Sequence, residues 1–113
     1  MTTDSEFIAR ADAALERIAQ AIDAALAASD VDGDWNLNDG ILEVEWEDGA
    51  KLIVNRHVPH REIWVAARSG GFHFRPQEGA WRDTRSGAEL GQEIARLVRE
   101  QSGLAVPVPL LPT

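Results

Sequence analysis

Carboxylates are the residues of this chain best equipped for chemistry. Asp12, Glu16 and Asp23 follow one another at steps of four and seven, and Asp30, Asp32 and Asp34 crowd the short stretch SDVDGDWNLNDG. Carboxylate oxygen suits hard cations, so Fe³⁺, Ca²⁺, Mg²⁺ and Mn²⁺ are admissible, with Fe²⁺ close behind. A calcium EF-hand fails. With Asp30, Asp32 and Asp34 in the first, third and fifth loop positions, the sixth is Trp35 rather than Gly and the twelfth is Ile41 rather than Glu. What remains is an open row of carboxylates, suited to weak binding at several places rather than to a closed cage. Acids on a surface usually serve solubility, but these are nearly unrelieved by Lys or Arg, and a cation or a basic partner would relieve their mutual repulsion.

The charge distribution sharpens this. Residues 1–50 hold thirteen acids against Arg10 and Arg17, whereas residues 51–113 hold six acids against nine Lys and Arg. Nucleic acid and anionic membranes bind through clustered Lys and Arg, so neither is an expected partner. The chain has 113 residues and no cysteine, which removes disulfides, thiolate nucleophiles and thiolate ligands for zinc or an iron–sulfur cluster. Apolar runs are only a few residues long, and the opening MTTDSEF is acidic where a leader would be basic, so a cytoplasmic protein is expected.

Two further features carry chemistry. His57 and His60 flank Pro59 and offer a pair of imidazoles in one loop to a transition metal, without a third ligand nearby in sequence. Ordinary surface histidines are the alternative, and His73 reads as a strand residue. Trp64 lies in EIWVAA, where Ile63 and Val65 share one face and Trp64 and Ala66 the other. If the first pair is core, Trp64 stands on an open sheet face and is suited to anchor a partner. The reversed assignment would make it core. No Ser/His/Asp order, phosphate-cradling glycine loop or paired acid and base is present, so catalysis by side chains is not expected.

These residues need a scaffold. Phe7, Ala11, Leu15, Ile18, Ile22 and Leu26 recur at helical spacing and predict a helix from about Asp4 to Ala28, capped by Asp4 or Ser5, with Asp12, Glu16 and Asp23 on its flank. A short strand near Trp35 to Asn38, then ILEVEW and KLIVN, alternate apolar and polar residues around the turns Asp39-Gly40 and Asp48-Gly49. EIWVAA, FHF and Ala80 to Asp83 continue a meander. Ser86 and Glu89 form a capping box for a second helix carrying Leu90, Ile94, Leu97 and Val98, which Gly103 stops. The expected fold is α+β: a two-layer sandwich with both helices on one face of an antiparallel sheet of about five to six strands. One domain spans residues 1–103, followed by a proline-rich tail, 104–113, whose aliphatic residues can lie against the helices.

DSEF at Asp4 to Phe7, NDGIL at Asn38 to Leu42, EDG at Glu47 to Gly49, and Asn55, Arg56, Pro59, Ile63 and Trp64 stand in unbroken order with GGFHF at Gly70 to Phe74 and with Trp81, Asp83, Arg85, Ser86 and Gly87. Together they closely resemble the bacterial frataxin family, the CyaY proteins. The resemblance covers about residues 4 to 103. It implies an accessory protein of iron–sulfur cluster assembly that binds Fe²⁺ or Fe³⁺ weakly on an acidic ridge and docks the basic groove of a cysteine desulfurase there, as iron donor or regulator. It further implies an iron–sulfur scaffold protein as a second partner, and a monomer with iron-dependent oligomers as the alternative. Carried over, the ridge includes Asp12, Asp23, Asp30, Asp32 and Asp34, with Glu16 added on the helix, and the open sheet face presents Asn55 and Trp64.

The resemblance is incomplete where the family's first helix carries consecutive acids. Here AQAIDAA keeps only Asp23, and Glu43 and Glu45 on the second strand are expected to replace the missing charge. His57 stands where the family usually has glutamine, which leaves a metal or haem contact at His57 and His60 as a minor reading. The alternatives in function are a weak ferroxidase or iron store, or an acidic interaction module with no metal role.

Overall fold

An apolar stripe from Phe7 to Ile22 gives α1 (Asp4–Ala27) its buried face, with Phe7, Ala11, Ala14, Leu15, Ile18, Ala19 and Ile22 inside. The computed structural model describes residues 3–113. The cap of α1 is Thr3 rather than Asp4 or Ser5. Its hydroxyl accepts from the Glu6 N–H at 3.1 Å and donates to the Glu6 carboxylate at 3.1 Å, leaving Asp4 and Glu6 to meet the positive end of the helix dipole.

Six strands follow: β1 (Gly33–Asn38), β2 (Ile41–Trp46), β3 (Lys51–His57), β4 (Glu62–Ala67), β5 (Gly70–Gln77) and β6 (Ala80–Asp83). They form one sheet in chain order, each antiparallel to its neighbour. The β1–β2 connection is the two-residue turn Asp39-Gly40, both with positive φ, +50° and +75°, as a hairpin of matching twist requires. A side chain on Gly40 would strike the Arg56 guanidinium at about 2.5 Å, so this glycine also makes room. Strict alternation sends Leu42, Val44, Trp46, Leu52, Val54, Ile63, Val65 and Phe74 into the core beneath the helices. The opposite sheet face is left without a covering layer.

Helix α2 (Leu90–Ser102) starts later than the Ser86–Glu89 pattern predicts, and Glu89 itself is the cap. The Asp83 carboxylate accepts from the Arg85 and Ser86 N–H groups at 2.7 and 3.1 Å, winding residues 83–88 into a turn that competes with helix. The Ser86 hydroxyl is spent on the Ala88 N–H. Leu90, Ile94, Leu97 and Val98 are buried as expected, and Gly103 ends the helix in the left-handed conformation at φ +76°.

The proline-rich tail returns along the core. Leu104, Val106 and Leu111 are buried within the same apolar cluster, and Pro112 bridges to Ala80. The buried Glu89 carboxylate joins the two ends of this segment: it accepts from Gly91 and Gln92 at the helix start, and from the Leu111 N–H at 3.3 Å. Among the described residues no helix is long and apolar enough to cross a membrane. Because Leu111 is fully enclosed, Leu111→Ala is expected to lower the unfolding free energy by about 2–5 kcal/mol in urea titration. A loss near zero would mean that the tail does not close the core.

Candidate functional site: an acidic edge and an aromatic stack

The carboxylates fall along one edge of the molecule, where the flank of α1 meets β1. Asp23 accepts a hydrogen bond from the Trp35 indole N–H at 3.1 Å, which ties the helix flank to the edge strand. Asp23, Asp32, Asp34 and Trp35 surround one shallow hollow, and Asp30, Asp32, Glu47 and Asp48 surround the next. Strand register carries the charge onto the sheet. Asp34 stands opposite Glu45, and Glu45 stands opposite Lys51. Glu43 accepts from Lys51 at 3.0 Å, and the two carboxylates hold the Lys51 ammonium above its ordinary pKa, Glu43 first and Glu45 after it. Glu43 and Glu45 point to the open face, as the alternation of ILEVEW predicts.

One of the expected ridge residues, Asp12, differs in kind from the rest. The Asp12 carboxylate is taken by Arg56 of β3, whose guanidinium also holds Asp39 at 3.2 Å and is itself largely buried. Asp12 is therefore compensated, and Glu16 beside it is the first unpaired acid of the helix flank. The pairing of Arg56 with Asp12 was not legible in the sequence, because the Arg56 side chain reaches the helix only when β3 passes beneath α1. Among the described residues no three His, Asp or Glu converge on one point as metal ligands do. The acids can each offer oxygen to a hard cation, singly or in pairs with water completing the shell.

On the open sheet face the structure places Trp64 half-buried, with Ile63 and Val65 in the core. Its indole is sandwiched between two imidazoles. His57 stacks on it with ring centres 3.6 Å apart and His73 with ring centres 4.3 Å apart, both tilted by only 8°. His57 is the last residue of β3 rather than a loop residue, and His60, in the turn, brings its Nδ1 to 3.1 Å from the His57 Nδ1. Asn55 lies directly opposite Trp64 on β3, with its amide donating to the Arg56 carbonyl at 3.1 Å.

Beneath this stack sits a carboxylate that sequence reasoning passed over. Glu62 shares the face of Trp64, yet it is buried. Burial alone would raise its pKa. The Trp64 indole N–H at 2.9 Å and the Arg75 guanidinium at 3.0 Å outweigh that and hold it below the ordinary value, with His73 at 3.8 Å adding to the effect. The two-residue spacing of Glu62 and Trp64 was legible; the arrival of Arg75 from β5 was not. A lowered carboxyl pKa contributes stability that is complete above the unfolded-state value and is lost as pH falls through the folded-state value. Glu62→Gln is thus expected to cost about 1–3 kcal/mol at pH 7. The gap from wild type should close on acidification through the carboxylate range, measured by urea unfolding at each pH. A gap independent of pH would contradict this account.

The comparisons with known proteins follow this geometry. The family model described as the frataxin-like domain matches residues 1–104. The iron-sulfur cluster assembly protein CyaY of Dechloromonas aromatica is 53% identical over 104 residues, covering 91% of this chain and 95% of that protein. The like-named protein of Ralstonia nicotianae is 47% identical over 106 residues, covering 92% of each. The solved frataxin of Psychromonas ingrahamii overlays with a TM-score of 0.85 at 33% identity, covering 96% of this chain and 99% of that one. Yeast frataxin shares the fold, with a TM-score of 0.65 at 22% identity over 85% and 83% of the two chains. Two helices on an open six-stranded meander, matched along nearly the whole chain in both sequence and structure, show that this chain belongs to the frataxin-like family.

Proposed function

We propose that this protein serves iron–sulfur cluster assembly as an accessory that carries iron loosely on its acidic edge and docks a cysteine desulfurase on the same surface, as a cytoplasmic monomer. The pathway rests on relatives named for it. The single observation that carries the finer reading is the continuity of acid from Glu16 and Asp23 through Asp30, Asp32 and Asp34 to Glu45 and Glu43, of which Glu43 is paired with Lys51 and the others have no basic partner. Such a surface meets Fe²⁺ or Fe³⁺ through hard oxygen donors and a basic protein groove through long-range attraction. Iron is cargo here, held by few ligands at a time and so easily given up. Because ion and partner share one surface, each modulates the other, and salt weakens both.

The decisive experiment is a desulfurase assay with and without this protein, each with and without iron. A change in turnover that deepens with iron is expected. Glu43→Lys combined with Glu45→Lys should weaken desulfurase binding by about tenfold or more, since two attractive charges become repulsive. Unchanged iron stoichiometry together with unchanged desulfurase binding would overturn the assignment of these two residues.

We further propose that the protein is no ferroxidase, because its carboxylates are spread along an edge and none of those described are gathered at one centre. Oxygen consumption with Fe²⁺ is expected to match buffer in stopped-flow measurement. A clear acceleration over buffer would make it an enzyme.

A further inference from the structure

Outside the acidic edge, the open sheet face carries a cluster for which iron delivery has no use: three histidines around Trp64. Two of them are arranged as ligands. Arg61 donates its N–H to the Val58 carbonyl at 3.0 Å, closing a four-residue turn with Pro59 and His60 at its central positions. Proline is suited to the first of these because its ring presets φ, and the turn folds His60 back over the end of β3. His57 is held from beneath, its ring lying flat on the Trp64 indole, which His73 backs on the other side. Turn and stack thus bring the His57 and His60 Nδ1 atoms together from two independently supported positions.

Their 3.1 Å separation suits a shared ion as well as it suits a shared proton. A metal about 2.0–2.1 Å from both nitrogens would see them about 95–102° apart, between the octahedral and tetrahedral angles. With each ring proton on Nε2, both Nδ1 atoms carry a free lone pair available to an ion held between them. His60 is exposed and His57 half-buried, so the point is open to solvent. The one cation of the turn, Arg61, is directed away into an ion pair with Asp4 of α1 at 2.8 Å. His73 lies across the indole with its Nδ1 toward Glu62 and does not reach the pair.

We propose that His57 and His60 form a second metal site, selective for divalent ions that favour imidazole nitrogen, such as Zn²⁺, Ni²⁺ and Co²⁺, with water in the remaining positions. Imidazole selects these ions, whereas the carboxylate edge takes hard ones. Taken with the iron-binding edge proposed above, the protein sorts cations between two surfaces by ligand chemistry; that sorting rests on the edge, whereas the imidazole site does not. This inference is independent of the role in cluster assembly.

The test is titration calorimetry of the full-length protein with Zn²⁺ alone. Wild type is compared with His57→Gln, His60→Gln, His73→Gln and a triple Asp30→Asn, Asp32→Asn, Asp34→Asn variant, and thermal unfolding by circular dichroism establishes that each is folded. One Zn²⁺ per chain is expected, weakened about tenfold or more by either His57→Gln or His60→Gln and unchanged by His73→Gln and by the triple variant. Because His60 lies in an exposed turn, its variant keeps the test valid even if loss of the His57 stack perturbs the fold. Absence of Zn²⁺ binding in wild type, wild-type affinity retained in both His57→Gln and His60→Gln, or loss of the site in the triple variant would each overturn the proposal.

Discussion

An antiparallel sheet has two faces, and this chain supplies helices for only one. Every other feature depends on that imbalance. Each strand must send alternate residues into the core and the rest into the open, because successive side chains leave the strand on opposite sides. Leu42, Val44, Leu52, Val54, Ile63, Val65 and Phe74 are enclosed on one side, and Glu43, Glu45, Lys51, Asn55, His57, Trp64 and His73 are delivered to the other. A slip of one residue in any strand would exchange the two sets, so the register that builds the core also composes the working surface.

The open face is not uniformly open. At the β1–β2 end it is polar and acidic, continuous with the helix flank through Asp34 and Glu45. At the β3–β5 end it is covered by its own aromatic layer, in which His57, Trp64 and His73 stack and shield the Glu62 carboxylate. A tryptophan stranded on a bare sheet would expose a large apolar area. Here the two imidazoles cover its faces while its N–H satisfies Glu62. Arg75 then supplies the opposite charge that a buried carboxylate requires.

Charge compensation separates structural from available acids. Asp12 and Asp39 are held by Arg56, and Asp4 by Arg61, so these carboxylates fasten the helix and a turn to the sheet. Glu89 and Asp83 are spent on backbone N–H groups, where they shape the entry to α2 and anchor the returning tail. Apart from these two and Glu78 in the β5–β6 turn, the acids without a basic partner lie between Glu16 and Asp48 along one edge. The strength of that edge thus depends on which basic residues the fold brings elsewhere as much as on the number of acids.

Much of this was legible in the sequence alone. Helical spacing from Phe7 to Ile22, alternation in ILEVEW, KLIVN and EIWVAA, and the turn pairs Asp39-Gly40 and Asp48-Gly49 are local patterns, and local patterns fix element type and which residues share a face. The acid asymmetry and the absence of cysteine followed in the same way, whereas alternation left Trp64 open between core and surface until the fold placed it on the open face. The first helix begins at Asp4 as expected, with its cap one residue earlier at Thr3, and the second begins later than expected because Asp83 winds residues 83–88 into a turn and Glu89 takes the cap. Long-range pairing belonged to tertiary structure: Arg56 with Asp12 across 44 residues, Arg75 with Glu62, Leu111 with Glu89, and three histidines around one indole. Composition and periodicity describe neighbours along the chain, whereas compensation, stacking and metal geometry depend on atoms made neighbours by strand register and helix packing. Sequence by itself determined that the protein has an acidic edge and one open sheet face; only the folded chain decided which acids stay free and which two imidazoles meet.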